Sequence, residues 1–279
     1  MAHTTKIYKT NGDLVPFKKE KVKESLLRSG AKEGLAQEVA DKVAEKVEEK
    51  MSTTDIYSMA YSMLAERQEK ATAARYSLKR SIMNLGPTGY PFEGFVGEIM
   101  KKKGYNVKVG TQMEGVCVSH EVDVVAKKEK EHFLMECKFH NKTGIKTGVK
   151  VPMYIYSRFD DIERKNKAEG KKKPSHEFWV VTNTRFTDDA IEFGKCRDMN
   201  LLGWRYPEEG GLEAWVEDLG LHPLTCLTTL NEDQKQKLLK REVVLCKDLL
   251  DQTDVLSVIG LDSNEIDSTI EEVNNLCKH

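Results

Sequence analysis

With 279 residues, 39% of them hydrophobic, the chain is long enough for two domains and a tail with ordinary cores. Its formal net charge of −1 argues against strong non-specific binding to nucleic acid, although a local groove can still supply a positive field. No apolar run approaches the roughly 18 residues of a membrane-spanning helix, no signal peptide opens the chain, and the six cysteines lack the spacing of a zinc or disulfide framework, so we expect a cytoplasmic protein.

The first 88 residues predict a small α+β domain. Two short strand-like runs in KIYKTNGDLVPF flank Asn11 and Gly12, a pair that favours a tight hairpin. Helices are predicted over 20–30 and 35–49, from a capping box at 52–55, and over 72–83. A stretch rich in glycine and proline at 86–91 then indicates a linker.

The next segment predicts a helix followed by a β-hairpin. Apolar residues recur at helical spacing from Phe92 to Met100. Residues 122–126 and 133–139 are short, apolar and β-branched or aromatic, and 127–132 supplies a polar turn. If the turn is centred on Glu129 and Lys130, paired residue numbers sum to 259.

In that register Asp123 faces Glu136, and directly opposed Cβ atoms lie about 4.5–5.5 Å apart. Alternation places Asp123, Glu136 and Lys138 on one face of the hairpin. We expect the other face to be the core, with Val122, Val124, Phe133, Met135, Cys137 and Phe139.

Two neighbouring carboxylates repel unless one is protonated or a cation lies between them, and Mg²⁺ prefers such oxygen ligands. Lys138 would stand beside the ion, where an amine can orient water or offset charge in a transition state. The sequence Glu-x-Lys occurs four times, but only at Glu136 does it interrupt an apolar run. An exposed edge hairpin with a cross-strand salt bridge is the alternative interpretation.

Beyond the hairpin the pattern predicts a layered α/β domain. We expect a helix over 154–166, a buried strand over 177–183, a helix beginning at 187–189 and a last strand over 201–205. Residues that either contact a nucleic-acid backbone or belong to a solvated face and core are Tyr154, Tyr156, Arg158, Arg164 and the lysines at 171–173.

The last segment, 225–279, is predicted to be helical. It has 6 basic and 11 acidic residues, so we do not expect it to bind nucleic-acid phosphates by itself. We expect it to pack on the core or to mediate self-association, so that the protein forms a homo-oligomer. The predicted domains are therefore 1–88, 89–224 and 225–279.

Residues from about 90 to 205 resemble the PD-(D/E)xK nuclease superfamily, particularly its Mrr-like restriction and Holliday-junction-resolvase branches. The motifs are GYPFEGFVGEIMKKKGYNV, HEVDVVA, MECKF and FWVVTNTRFTDDAIEFG. The resemblance implies a restriction-endonuclease-like core with a mixed sheet. It also implies Asp123 and Glu136 as metal ligands, Lys138 as the catalytic lysine, and Glu93 as the acid on the preceding helix. Many Mrr-type enzymes have Gln where this chain has Glu136.

Residues from about 5 to 85 resemble the ATP-cone, a regulatory nucleotide-binding domain, on the motif IYKTNGDLVPFKKEKV. The resemblance implies that Ile7 packs on the base, that Lys9 and Lys21 meet phosphates, and that Thr53 lies near the nucleotide. Two departures from the family pattern are Thr10, often arginine, and Tyr57, often histidine.

Together these features predict an α/β multidomain protein that cleaves DNA with Mg²⁺ or Mn²⁺ and is regulated by ATP or dATP. The alternative is a catalytically inactive, nucleotide-gated DNA-binding or regulatory protein. An intact set of Asp123, Glu136 and Lys138 weighs against that alternative.

Overall fold

A computed structural model of the protein describes residues 5–9, 12–67, 70–86, 88–142, 144–170 and 176–277. The predicted turn residue Asn11, together with Thr10, Pro87 and the lysines at 171–173, lies outside these ranges. The strands are β1 Lys6–Tyr8, β2 Leu14–Pro16, β3 Asn106–Glu114, β4 Ser119–Lys128, β5 Glu131–Lys138, β6 Lys146–Thr147, β7 Glu177–Thr182, β8 Arg185–Phe186 and β9 Asn200–Leu202. The α-helices are α1 Lys19–Arg28, α2 Glu33–Lys46, α3 Thr53–Glu66, α4 Lys70–Tyr76, α5 Leu78–Met83, α6 Tyr90–Lys102, α7 Lys150–Ala168, α8 Asp188–Cys196, α9 Leu212–Asp218, α10 Glu232–Leu239, α11 Asp248–Asp251, α12 Asp254–Val258 and α13 Ser263–Cys277.

The chain forms two compact units, one of residues 1–81 with 222–279 and the other of residues 82–221. The predicted class, α/β and multidomain with a mixed sheet in the centre and helices at the C-terminus, is confirmed. The domain boundaries at 88 and 224 remain a prediction. No helix within the described ranges is both long and apolar enough to span a membrane.

In the first unit, β1 and β2 form the predicted antiparallel hairpin. Helix α3 begins with the predicted capping box, because Ser52 and Asp55 satisfy each other's backbone N–H groups. The single helix predicted over 72–83 is wrong, since α4 and α5 are separated at Ser77. The Ser77 hydroxyl donates to the Ala74 carbonyl at 2.8 Å, a local side-chain bond that competes with helical pairing.

The C-terminal segment packs on the helices of this first unit, as one of its two predicted roles required. Helix α13 contacts α4, and the Thr225 hydroxyl donates to the Ser81 carbonyl at 2.6 Å. The buried Glu272 carboxylate accepts the backbone N–H groups of Thr228 and Thr229 at 2.8 and 2.9 Å. Its charge is therefore compensated by fixed donors inside the segment.

The second unit is built on a five-stranded sheet in the order β3-β4-β5-β7-β9. The β3, β4 and β5 strands are antiparallel, whereas β7 and β9 join parallel to β5. Strand β5 therefore lies in the middle of the sheet. The alternative of an exposed edge hairpin does not agree with this position.

Both faces of this sheet are covered, so the expectation of a single core face was wrong. Val125 and Leu134, on the carboxylate face, are buried against Ile155 and Phe159 of α7. Helix α6 covers the sheet too, in contact with β3, β4 and β5. The reason is the parallel β7 strand, since parallel pairing requires helical crossovers that cover both faces. The carboxylates are polar exceptions at one end of an apolar layer.

The turn between β3 and β4 leaves no room for a side chain at Gly115. An added Cβ would lie 2.0 Å from Asp161 Oδ2 and 2.7 Å from the Val118 carbonyl oxygen. Asp161 is held by the Cys117 N–H at 3.1 Å and so yields only at a cost. We expect Gly115→Ala to lower the free energy of unfolding by about 2–3 kcal/mol.

Chemical denaturation measures this effect, with Gly148→Ala as the matched control. No described atom would lie within 4 Å of a Cβ added at Gly148, so the control should stay within about 0.5 kcal/mol of the wild type. Equal stability of Gly115→Ala and the wild type would contradict the packing described for this turn.

Candidate active site

The β4–β5 hairpin has the predicted register but ends one residue earlier than expected. Val124 pairs with Met135, and the pairing continues to Lys128 and Glu131 at the turn. Asp123 and Glu136 are not a ladder pair, because the Asp123 side chain replaces the backbone there. Its Oδ2 accepts the Cys137 N–H at 2.7 Å. This bond fixes the Asp123 carboxylate at the point where the ladder stops.

A pocket of about 450 Å³ opens at this end of the hairpin. It brings together all four residues predicted for the nuclease site: Glu93 from α6, Asp123 from β4, and Glu136 and Lys138 from β5. The remaining lining residues are Gly89, Cys137, Phe139, His140 and Asn141. Glu98, the other acid of α6, does not line the pocket and forms an ion pair with Lys101 at 2.6 Å.

Burial and the charges of neighbouring carboxylates raise the pKa values of the three carboxyl groups. Burial raises the pKa of Glu136 to about 7, and the neighbouring Asp123 charge adds to the shift. Burial likewise raises the pKa of Glu93 to about 7, with contributions from Asp123, Glu121 and Glu136. The pKa of Asp123 is also raised by burial, against the opposing effect of its bond to Cys137. Because ionisation of these three carboxyl groups is unfavourable, a positive charge placed among them would be stabilised.

Arg158 of α7 supplies part of that charge, a contact that the sequence analysis did not foresee. Its Nη1 lies 2.9 Å from Glu136 Oε2, and its Nη2 donates to the Glu121 carbonyl. From the sequence, Arg158 was expected either to contact a nucleic-acid backbone or to lie on a solvated helix face. The spacing of Tyr154 and Arg158, four residues apart on one side of a helix, predicts a contact between these two residues but not the pairing with Glu136.

Of the other candidates on α7, Tyr154 is exposed, whereas Tyr156 packs edge-on against Phe178 and Phe193. Tyr156 therefore belongs to the core interpretation. Arg164 is exposed and lies six residues beyond Arg158 on the same helix. Of the residues considered as possible nucleic-acid contacts, Tyr154 and Arg164 are therefore exposed and Tyr156 is part of the core.

Asn183, directly after β7, holds the loop that leaves β5. Its Oδ1 accepts the His140 N–H at 2.9 Å, and its Nδ2 donates to the His140 carbonyl at 2.7 Å. Asn183 is fully buried. These two hydrogen bonds fix the chain just beyond Lys138. No sequence pattern predicted this contact.

The residues at the pocket fit a hard divalent cation. Among the described residues no group of three or more His, Cys, Asp or Glu side chains is arranged to hold a metal ion. Mg²⁺, however, is commonly held by one or two carboxylates and completes its shell with water. Asp123 and Glu136 supply two carboxylates that line an open pocket, and the Asp123 charge helps to raise the pKa of Glu136.

The residues predicted for the nucleotide lie in the first unit. Ile7 is 7% exposed and joins the apolar core there, whereas Lys9 and Lys21 are exposed. Strand β1 is bridged to the start of α3, with Tyr8 paired to Ser52, the residue before Thr53. The structure thus brings the end of β1 beside Thr53, and the role of these residues in nucleotide binding stays a prediction.

Three segments of the chain match known families. Residues 5–84 match the ATP cone domain, residues 87–203 match the restriction endonuclease family, and residues 222–277 match the AF1548-like C-terminal family. The predicted fusion of an ATP-cone to a restriction-endonuclease-like domain is therefore confirmed.

A related protein and a solved structure match 65% and 68% of this chain, respectively. An uncharacterized protein of Archaeoglobus fulgidus is 33% identical over 182 residues, which are 65% of this chain and 99% of that protein. The crystal structure of AF1548, a protein of unknown function, is 31% identical with a TM-score of 0.56, and the match covers 68% of this chain and 98% of that chain. The chain therefore belongs to the family of this A. fulgidus protein, and it carries an ATP cone, a restriction endonuclease domain and an AF1548-like C-terminal segment in that order.

Proposed function

We propose that this protein is a divalent-metal-dependent DNA endonuclease whose activity responds to ATP or dATP at the N-terminal cone. The observation that carries the proposal is the convergence of Glu93, Asp123, Glu136 and Lys138 in one pocket at the end of the β4–β5 hairpin. These side chains come from three elements, and the first and last of them lie 45 positions apart. The fold, and not the local sequence, therefore brings them together.

The proposed chemistry is hydrolysis of a phosphodiester bond. A bound divalent ion would supply Lewis-acid activation and make a water molecule more acidic. Asp123 and Glu136 would hold the ion, and the Cys137 N–H keeps the Asp123 carboxylate in place. Lys138 is exposed at the pocket, where its ammonium group would orient the attacking water and stabilise negative charge on the phosphate.

Glu93 adds a third carboxyl group from the first turn of α6. In the metal-free protein, burial raises the pKa of Glu93 to about 7, and a divalent ion bound nearby would lower that pKa again. Because Glu93 lines the same pocket, it would accept hydrogen bonds from water beside a bound ion.

The direct test is incubation of supercoiled plasmid with full-length protein and Mg²⁺ or Mn²⁺, with and without ATP or dATP. Nicked or linear DNA that appears only with a divalent ion is expected. A gel shift without strand breaks under every condition would favour the inactive, nucleotide-gated DNA-binding protein instead.

The regulatory part of the proposal depends on the cone. Titration calorimetry of ATP and dATP into the full-length protein is expected to give saturable binding that Lys9→Met and Lys21→Met weaken. The full chain is used because the C-terminal segment packs in the same unit as the cone. If millimolar nucleotide gives neither heat of binding nor thermal stabilisation, the cone does not bind nucleotide and has only a structural role.

The carboxyl groups of the pocket predict a specific pH dependence of stability. The pKa values of Glu93 and Glu136 rise from 4.5 to about 7 on folding. The folded state therefore holds protons that the unfolded state has lost, so these groups stabilise the metal-free protein at low pH and cease to do so as pH rises through about 7.

We expect the Tm of the wild type, minus that of a Glu93→Gln/Glu136→Gln double variant, to fall between pH 5.5 and pH 8 in EDTA. Differential scanning calorimetry of both proteins measures it. A difference that does not change with pH would mean that these carboxyl groups titrate normally in the folded protein.

A further inference from the structure

Arg158 links the carboxylate pocket to an exposed aromatic side chain. The Arg158 side chain is 15% exposed, and its guanidinium contacts Glu136, whose side chain is 19% exposed, on one side. On the other side it lies over the ring of Tyr154, with 5.4 Å from the guanidinium carbon to the ring centroid. Tyr154 is 64% exposed, so it presents its ring to solvent at the edge of the proposed site.

The helix that carries this pair is fixed to the sheet. Ile155 and Phe159, next to the two residues in sequence, are buried at 1% and 0% exposure in the core beneath α7. The arginine side chain can therefore move between partners while its backbone stays in place. Its present partners are the Glu136 carboxylate and the Glu121 carbonyl, both oxygen acceptors.

We propose that Arg158 is a positioning residue that holds Glu136 in the absence of the divalent ion and transfers to a phosphate of the DNA when the ion binds. The inference rests on the proposed nuclease function and deepens it. A guanidinium fork matches phosphate oxygens as well as carboxylate oxygens, so one group serves both states. Tyr154 keeps the guanidinium beside the pocket and offers its free face to a base that flanks the phosphate.

The proposal makes the binding of ion and DNA interdependent. Because Arg158 and the ion would share the Glu136 carboxylate, ion binding would displace Arg158. The displaced guanidinium would then be available to a phosphate. By linkage, the ion then raises the affinity for DNA by the same factor by which DNA raises the affinity for the ion. Removing Arg158 should strengthen ion binding and remove this coupling.

The test uses full-length wild type, Arg158→Met and Arg158→Lys, with Arg164→Met as the matched control on the same helix. Titration calorimetry with Mn²⁺ alone is expected to show about tenfold tighter binding by Arg158→Met, equivalent to about 1.4 kcal/mol. Arg164→Met should bind Mn²⁺ like the wild type. Arg158→Lys keeps the charge and should also bind the ion like the wild type.

The second readout is fluorescence anisotropy of a labelled oligonucleotide duplex, in a Lys138→Met background that keeps the DNA intact. Mn²⁺ should raise the DNA affinity of the background protein about tenfold, an effect of the size usual for coupled sites. Adding Arg158→Met or Arg158→Lys should remove most of that increase. The lysine variant provides this readout even if the methionine variant fails to fold.

Two results separate failure of this inference from failure of the nuclease proposal. Mn²⁺ binding that requires Asp123 but is unchanged or weaker in Arg158→Met would overturn the role of Arg158 alone, because the arginine would then merely support Glu136. An absence of Asp123-dependent Mn²⁺ binding in both the wild type and Arg158→Met would remove the ion site itself, and the inference with it.

Discussion

Glu136→Gln is expected to slow Mg²⁺-dependent DNA cleavage by about a thousandfold or more. The substitution removes one of two proposed ligand charges while it keeps the shape of the side chain and an oxygen acceptor for Arg158. An ion's stabilisation of transition-state charge is worth several kcal/mol, and each 1.36 kcal/mol is a factor of ten in rate. Initial rates of plasmid nicking at saturating Mg²⁺ measure the effect.

The fold should survive this change, because Glu136 has a raised pKa and costs free energy when it is ionised in the pocket. Glu98→Gln is the matched control, since Glu98 lies on the same unit but pairs with Lys101 away from the pocket. Cleavage by Glu136→Gln within threefold of the wild-type rate would remove Glu136 from the catalytic assignment.

Lys138→Met is the second substitution with a large expected effect. Its loss removes the one ammonium group that lines the pocket among the described residues, at the position where charge on the phosphate would develop. Removing a single preorganised donor of this kind costs about 10²–10³ in rate. Affinity for Mn²⁺ should not weaken, because an ammonium group repels the ion.

Lys142→Met, an exposed lysine in the following loop, controls for a general loss of positive charge. Single-turnover cleavage and Mn²⁺ titration on the same preparations separate the two effects. Parallel loss of cleavage and of Mn²⁺ binding would assign Lys138 to the integrity of the ion site. Unimpaired cleavage would exclude it from the chemistry.

The hairpin was the most predictable part of the site. A polar turn between two apolar runs fixed its register, and the sum of 259 for paired residues holds from Val124–Met135 to Lys128–Glu131. This inference depends on neighbours along the chain. The choice of Glu93 as the acid on α6 came from the family resemblance, because helical spacing places it only at the edge of the apolar stripe.

Tertiary contacts were less accessible to sequence reasoning. The burial of Val125 and Leu134 follows from α7, which crosses the carboxylate face of the sheet. The contact of Arg158 with Glu136 spans 22 positions and depends on the rotation of that helix. The end of the ladder at Asp123 follows from a side-chain bond to Cys137, which alternation alone does not predict.

The packing of the C-terminal segment with the first unit shows the same limit. Its charge and helical pattern indicated that it folds, but they did not identify which helices it covers. Thr225 and Ser81 lie 144 positions apart in the sequence, and the contacting helices α13 and α4 lie farther apart still. A single sequence holds no signal for pairing at that distance.

The central claim is that the carboxylates of Asp123 and Glu136 hold one divalent ion beside Lys138. Anomalous diffraction from crystals of the full-length protein soaked in Mn²⁺ tests it most directly. A single strong peak is expected within about 2.0–2.3 Å of an oxygen from each carboxylate, with the remaining ligands supplied by water. Peaks elsewhere, with these two side chains turned apart or paired with Arg158 at saturating Mn²⁺, would contradict the proposed nuclease site.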